Sequence, residues 1–312
     1  MQTLASALLG RHGALPWPAY RRERWTTPDQ DFIDVDWLPQ AVADTASQPL
    51  LVLFHGLEGS SRSHYALAFA EHARQQGWAY AVPHFRGCSG EINRAPRAYH
   101  SGDYAEIGWI LQRLRQQHHG PLLAVGISLG GNALLRWGQE AGQTAAAVLQ
   151  GMAAICAPID LAAGGRALGQ GVNRHLYTPL FLRTMKPKAL RKLAQYPGLF
   201  DRRALESARN LYDFDNVFTA PLHGFRDTED YWRRASAQPR LQALRLPTLL
   251  VHARNDPFIP AWSLPAARAV GAHVTLWQPA QGGHVGFLQG PPPGNLAYLP
   301  QQVGHWLQQH IG

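Results

Sequence analysis

One pentapeptide restricts this chain more than any other feature. Gly126-Ile-Ser128-Leu-Gly130 stands directly after the apolar run Pro121–Val125 and directly before a helix-forming stretch, Asn132–Glu140. A serine between two such glycines fits a sharp strand-to-helix turn, where side chains at the flanking positions would collide with neighbouring backbone. In a chain with 30 glycines the bare pattern also fits a plain loop, so the flanking elements decide its meaning. They predict a strand, a serine hydroxyl pushed into the open, and a helix, which is one unit of an alternating α/β architecture.

The rest of the chain repeats that unit. Pro49–Phe54 is a continuous apolar run, as in strands covered on both faces, and a helical stretch, Ser63–Gln76, follows it. Trp78–Pro83, Pro121–Ile127, Ala145–Ala157, Pro247–Ala253 and His273–Gln278 read as further strands, and Leu296–His310 as a closing helix. Ahead of them Arg21–Leu38 alternates around Pro28-Asp29 and predicts an antiparallel pair at the sheet's edge. With 312 residues, 46% of them hydrophobic and 16% charged, the chain can bury a full sheet between helices. About 90 residues separate the strand ending near Ala157 from the one starting near Pro247, where a crossover needs roughly a dozen. The expected architecture is a mostly parallel, doubly wound central sheet with an antiparallel N-terminal edge. Residues 1–156 and 246–312 would form the core domain, and 157–245 a helical cap inserted into it.

Charge and cysteine usage narrow the class of partner. The net charge is +8, and residues 157–245 hold 15 Lys and Arg against 8 Asp and Glu, so nearly all of the surplus sits in the insertion. No zinc-finger spacing, aromatic RNP-like motif or recognition helix accompanies it, which argues against nucleic acid and leaves peripheral contact with an anionic membrane as the expectation. Cys88 and Cys156 fit neither a disulfide framework nor a paired metal or redox site and are expected to be reduced thiols. The first ten residues lack the basic and long apolar regions of a secretory signal, and no stretch has the ~20 apolar residues of a membrane span, which predicts a cytoplasmic protein.

A serine hydroxyl is a poor nucleophile near neutral pH and needs a histidine to take its proton and a carboxylate to hold that imidazole. Asp256, in Asn255-Asp-Pro-Phe258, follows the strand Pro247–His252; His284, in Gly282-Gly-His-Val-Gly286, follows the last strand. Both positions lie where such a sheet builds its site. Asp160 competes as the acid, but it also suits the cap of the insertion's first helix. Acyl transfer through Ser128 would need two backbone donors for an oxyanion: the Leu129 N–H, next to the nucleophile, and the Leu57 N–H in His55-Gly-Leu-Glu-Gly59. Phe214, Phe218, Phe225 and Trp232, with Tyr231, supply aromatic surface for either a substrate pocket or the insertion's own core. Arg86 reads as a structural arginine and Cys88 as a buried thiol.

These segments together resemble the YheT-type branch of the α/β-hydrolases, esterases and lipases related to animal hydrolases of acylglycerols and phospholipids. The resemblance is carried by His55-Gly-Leu-Glu-Gly-Ser60, His84-Phe-Arg-Gly-Cys-Ser-Gly90, Gly126-Ile-Ser-Leu-Gly-Gly131, Phe214–Phe225, Tyr231-Trp-Arg-Arg-Ala-Ser236 and Asn255-Asp-Pro-Phe258. It implies the same Ser128-Asp256-His284 roles and a medium- to long-chain acyl ester or lipid-like small molecule as substrate. The animal relatives begin with a membrane-spanning helix, and residues 1–30 could not supply one. No metal or organic cofactor is expected. Transfer of the acyl group to an alcohol or thiol instead of water, and a non-catalytic binding protein of the same fold, are the alternatives.

Overall fold

The computed structural model describes residues 18–39, 48–290 and 294–311. The N-terminal decapeptide and the prolines of the Gly290–Gly294 loop lie outside the described residues.

The expected opening pair forms as β1 (Arg21–Thr26) and β2 (Phe32–Trp37), paired antiparallel. Its register sets Arg22 opposite Asp36 and Arg24 opposite Asp34, and each pair closes a two-pronged guanidinium–carboxylate bridge. Six strands follow: β3 (Leu50–Phe54), β4 (Ala79–Pro83), β5 (Leu122–Ile127), β6 (Gly151–Ile155), β7 (Thr248–Val251) and β8 (Val274–Trp277). The sheet order is β1-β2-β4-β3-β5-β6-β7-β8, antiparallel from β1 through β4 and parallel across the rest.

Both faces of the sheet are covered, which is why its central strands read as unbroken apolar runs. Leu50, Val52 and Phe54 of β3 face one core with Ile107, Ile110, Leu114 and Leu134, carried by α2 (Tyr104–Gln117) and α3 (Leu129–Ala141). Leu51 and Leu53 face the other, with Phe69 of α1 (His64–Gln76) and Val303 of the last helix. Helix α2 went unread in the sequence although Ile107, Ile110, Leu111 and Leu114 keep a helical spacing. Only the end of the predicted strand Ala145–Ala157 is extended: Gly142–Ala147 is a 3₁₀ turn, because three alanines lack the branched side chains that favour a pleated chain.

Between β6 and β7 the chain is helical: α4 (Leu161–Leu168), α5 (Gly171–Gln195), α6 (Arg202–Ser207), α7 (Leu211–Phe214), a π-helical turn over Asp215–Thr219, α8 (Ala220–Leu222) and α9 (Thr228–Ala235). Asp160, Asp201, Asn210 and Asp227 cap four of these by accepting a backbone N–H three residues on. Helix α10 (Tyr298–Gln308) closes the fold beside α1. Among the described residues no helix is long and apolar enough to cross a membrane.

Candidate active site

The chain leaves β3 for β4 on one side of the sheet and then crosses back to β5 on the other, so the loops after β3 and β5 diverge. Such a divergence opens a crevice at the strands' carboxyl ends. His55–Gly59 stands on one side of it and Ser128 on the other. Ser128 holds φ 51° and ψ −118°, a backbone state that L-residues seldom adopt and that persists only where the surroundings impose it. They do so here. The Ser128 N–H donates to Ile155 O at 2.8 Å, and its carbonyl accepts the Asn132 N–H. A Cβ on Gly126 would lie 2.6 Å from Gly130 O and Gly131 Cα, and one on Gly130 would lie 2.5 Å from Phe54 O and His55 O. Both glycines of the motif are therefore required by close backbone approach.

The loops after β7 and β8 bring Asp256 and His284 to the same serine. His284 Nε2 lies 3.0 Å from Ser128 Oγ, and His284 Nδ1 lies 2.9 Å from Asp256 Oδ2. Asp256 Oδ1 accepts the Phe258 N–H at 2.8 Å, and the Phe258 ring covers the imidazole at a 4.4 Å centroid separation. A carboxylate on Nδ1 selects the tautomer whose Nε2 can accept the serine proton. Asp160, the rival acid, is occupied as the N-cap of α4. Cys156 lies close enough to Asp256 and His284 for the three to be a conceivable ion site. All three are engaged otherwise: the Cys156 thiol donates to Gly283 O and accepts the Val285 N–H, while His284 bridges Asp256 and Ser128.

Leu129 opens α3, so its N–H belongs to the unpaired, positive end of a helix. The Leu57 N–H is aimed by its neighbours. The Gly56 carbonyl, in the same peptide plane, accepts the Gly59 N–H at 2.9 Å and faces His55 Nδ1 at 2.8 Å. His55 Nε2 accepts the Phe85 N–H, so Nδ1 carries the proton and donates to Gly56 O. In a trans peptide the N–H points opposite the C=O, so pinning that carbonyl turns the Leu57 N–H the other way. Burial, with His84 nearby, pushes His55 down to about 3 and keeps it neutral. Nothing in the local sequence points to this place for His55 beyond its position one residue ahead of the turn.

A cleft opens over Ser128 and His284. Leu57 and Leu129 line it, as do Phe214, Phe218 and Trp232, together with Phe181 and Met185 of α5, which sequence reasoning did not single out. Phe225 is the exception among the expected pocket residues: it is outside the lining and packs on Tyr231 and His100 under the Arg234 guanidinium. Hydrogen bonding places it there, because its N–H is tied to Ala220 O. Arg86 is the structural arginine expected, gripped by Asp29, Asp31 and Glu106. Burial lifts the Cys88 thiol to about 12 although Lys188 opposes it.

The family described as the alpha/beta hydrolase fold matches residues 49–291, which span the serine turn, the acid and the histidine. The chain belongs to this family. It is 38% identical over 296 residues to the protein named "Putative esterase YheT" of Escherichia coli, covering 93% of this chain and 85% of that one. It is 27% identical to Phospholipase ABHD3 of Mus musculus, covering 94% of this chain and 72% of the relative. Among solved structures, an esterase of Pyrococcus furiosus superposes with a TM-score of 0.57 at 15% identity, covering 97% of this chain and 94% of that one, a likeness of fold.

Proposed function

We propose that this chain is a serine hydrolase of carboxylic esters in which Ser128, His284 and Asp256 form the catalytic triad. The observation that carries the reading is the continuous line of two hydrogen bonds, 3.0 Å from Ser128 Oγ to His284 and 2.9 Å from His284 to Asp256, at the floor of an apolar cleft. Ser128 attacks the ester carbonyl while His284 takes its proton, and the oxyanion rests on the Leu57 and Leu129 N–H groups. His284 returns that proton to the departing alcohol, leaving an acyl-serine. It then draws a proton from water, which displaces the acid and restores Ser128. These steps call on no metal or organic cofactor.

The substrate class we propose is a medium- to long-chain acyl ester of lipid-like character. Aromatic and aliphatic walls support it, as do relatives named esterase and phospholipase. Residues 157–245 act as a cap: α5 contributes Phe181 and Met185 to the cleft from one face. Its opposite face exposes Val172, Leu176 and Leu180, four residues apart, and residues 161–200 carry seven Lys or Arg and no Asp or Glu. An apolar stripe within an all-basic segment suits peripheral contact with an anionic lipid surface.

Initial rates on p-nitrophenyl esters from acetyl to palmitoyl test the reading. Wild type is expected to turn over, with an optimum beyond the shortest chains, and Ser128→Ala and His284→Ala to abolish turnover. An inactive wild type, or an active Ser128→Ala variant, would count against it. Adding an acceptor alcohol separates hydrolysis from acyl transfer by the partition of product between free acid and new ester.

A further inference from the structure

Residue 58 stands where a glycine would be expected. The turn Gly56–Gly59 is closed by the Gly59 N–H on Gly56 O, and its third residue has φ 56°, a conformation that costs a long side chain strain and glycine none. The residue there is Glu58, at the edge of the cleft, and its backbone N–H and both carboxylate oxygens are engaged. Its N–H donates to Tyr99 Oη at 2.9 Å, and the Tyr99 hydroxyl donates to Glu58 Oε1 at 2.8 Å. Lys188 Nζ sits 3.0 Å from the same oxygen and 2.9 Å from Oε2. Tyr99 is itself fixed, stacked at 5.4 Å and 8° on Phe85, whose ring meets His55 at 4.7 Å. Tyr99 and His55 thus grip the turn from its two ends, and Lys188 is the one member of the bracket that belongs to α5.

We propose that Lys188, acting through Glu58, is a positioning residue for the Leu57 N–H, so that the seating of α5 sets the geometry in which an oxyanion is received. This rests on the hydrolase reading above. Strain held at a non-glycine residue beside a reactive group marks a conformation maintained for use, because a glycine would satisfy the turn alone. A glycine, however, could reach neither Tyr99 nor Lys188. The ammonium has a second effect: it balances a carboxylate that would otherwise oppose negative charge developing at the neighbouring peptide. Lys188 also lines the cleft and lies 3.6 Å from Cys88 Sγ, but it does not touch the reacting atoms and reaches the donor through Glu58, the residue next to it.

The experiment uses p-nitrophenyl acetate, whose short acyl group leaves the distal cleft empty, so that loss of substrate contact with α5 is not what is measured. Lys188→Met and Glu58→Gly are each expected to lower kcat by roughly tenfold or more with KM nearly unchanged, less than the 10²–10³ seen when an oxyanion donor is removed outright. Glu58→Gly relieves the positive φ while giving up the bonds to Tyr99 and Lys188, so its melting temperature should shift little while kcat falls, a split that a merely structural bridge does not give. Lys188→Arg keeps the ion pair and should retain most of kcat. Wild-type kcat in Lys188→Met or Glu58→Gly, or losses that track melting temperature, would overturn the proposal. If those variants match an active wild type while Ser128→Ala is dead, only the positioning role fails; if wild type itself does not turn over, the hydrolase reading fails and takes this one with it.

Discussion

Replacing Gly126 by alanine adds one methyl group and tests whether the serine turn is held by backbone contact. The new Cβ would meet Gly130 O and Gly131 Cα at 2.6 Å and Gly130 C at 2.8 Å, all of them backbone atoms. Comfortable contact begins near 3.5 Å, so β5 and the start of α3 must separate by about 0.9 Å. Side-chain rotation cannot absorb that, and Ser128 lies between the two. Overpacking of this kind costs about 1–3 kcal/mol, and a displacement approaching 1 Å at a reacting group costs on the order of 10²-fold in rate. Gly138→Ala, two turns along the same helix, is the control: its Cβ would press on Met152 Cε at 2.8 Å and Leu244 Cδ2 at 3.0 Å, both ends of flexible side chains. Measured by kcat on a soluble ester and by thermal melting, Gly126→Ala should lose about two orders of magnitude in rate while still folding, and Gly138→Ala should keep its rate within about threefold. A folded Gly126→Ala variant with wild-type kcat would show that backbone contact does not hold the serine turn.

The two candidate acids should separate cleanly. Asp256→Asn is expected to lower kcat by on the order of 10⁴ through loss of the tautomer control on His284, whereas Asp160→Ala should cost about 1 kcal/mol of stability as a lost helix cap and leave kcat in place; the reverse pattern in a melt and a rate assay would exchange their roles. Burial drives His55, His100 and His223 down to about 3, and all three titrate near 6.5 when unfolded. Between those values the unfolded chain binds more protons than the folded one, so stability falls as pH is lowered through this window and is unaffected by these groups above it. Melting temperature should therefore be level above pH 7 and drop by pH 4.5; a level profile throughout would show that these rings are not held neutral. Sedimentation with vesicles should show binding that needs anionic lipid and weakens with salt, at about 1 kcal/mol per basic residue near the surface, and Leu176→Ser with Leu180→Ser should reduce it; equal binding to neutral vesicles would contradict the assigned face of α5.

Where local pattern and tertiary demand agreed, the sequence was legible. The strands β3 and β5 carry no polar side chain because helices cover both faces, and the turn at Ser128 announces itself through glycines that the packing requires. Asp256 and His284 could be located because each follows a strand on the side where the site lies. What stayed hidden depends on contacts between distant segments. Nothing near Glu58 in sequence points to Tyr99 or Lys188, which are 41 and 130 residues away. Phe225 stands near the pocket aromatics in sequence, where pocket and insertion core read alike, but a backbone bond to Ala220 turns it onto Tyr231 and out of the cleft. Ala145–Ala147 failed as a strand because an apolar run states burial without stating whether the chain is extended or turned.

In the proposed reaction Ser128 carries the acyl group between the two halves. Rapid quenching of the enzyme during turnover of a p-nitrophenyl ester, followed by peptide mass measurement, tests it directly. A burst of nitrophenol is expected, with a mass increase equal to the acyl group on the peptide containing Ser128, absent from Ser128→Ala. Full turnover with no acylated peptide, or an acyl group found on another residue, would contradict it.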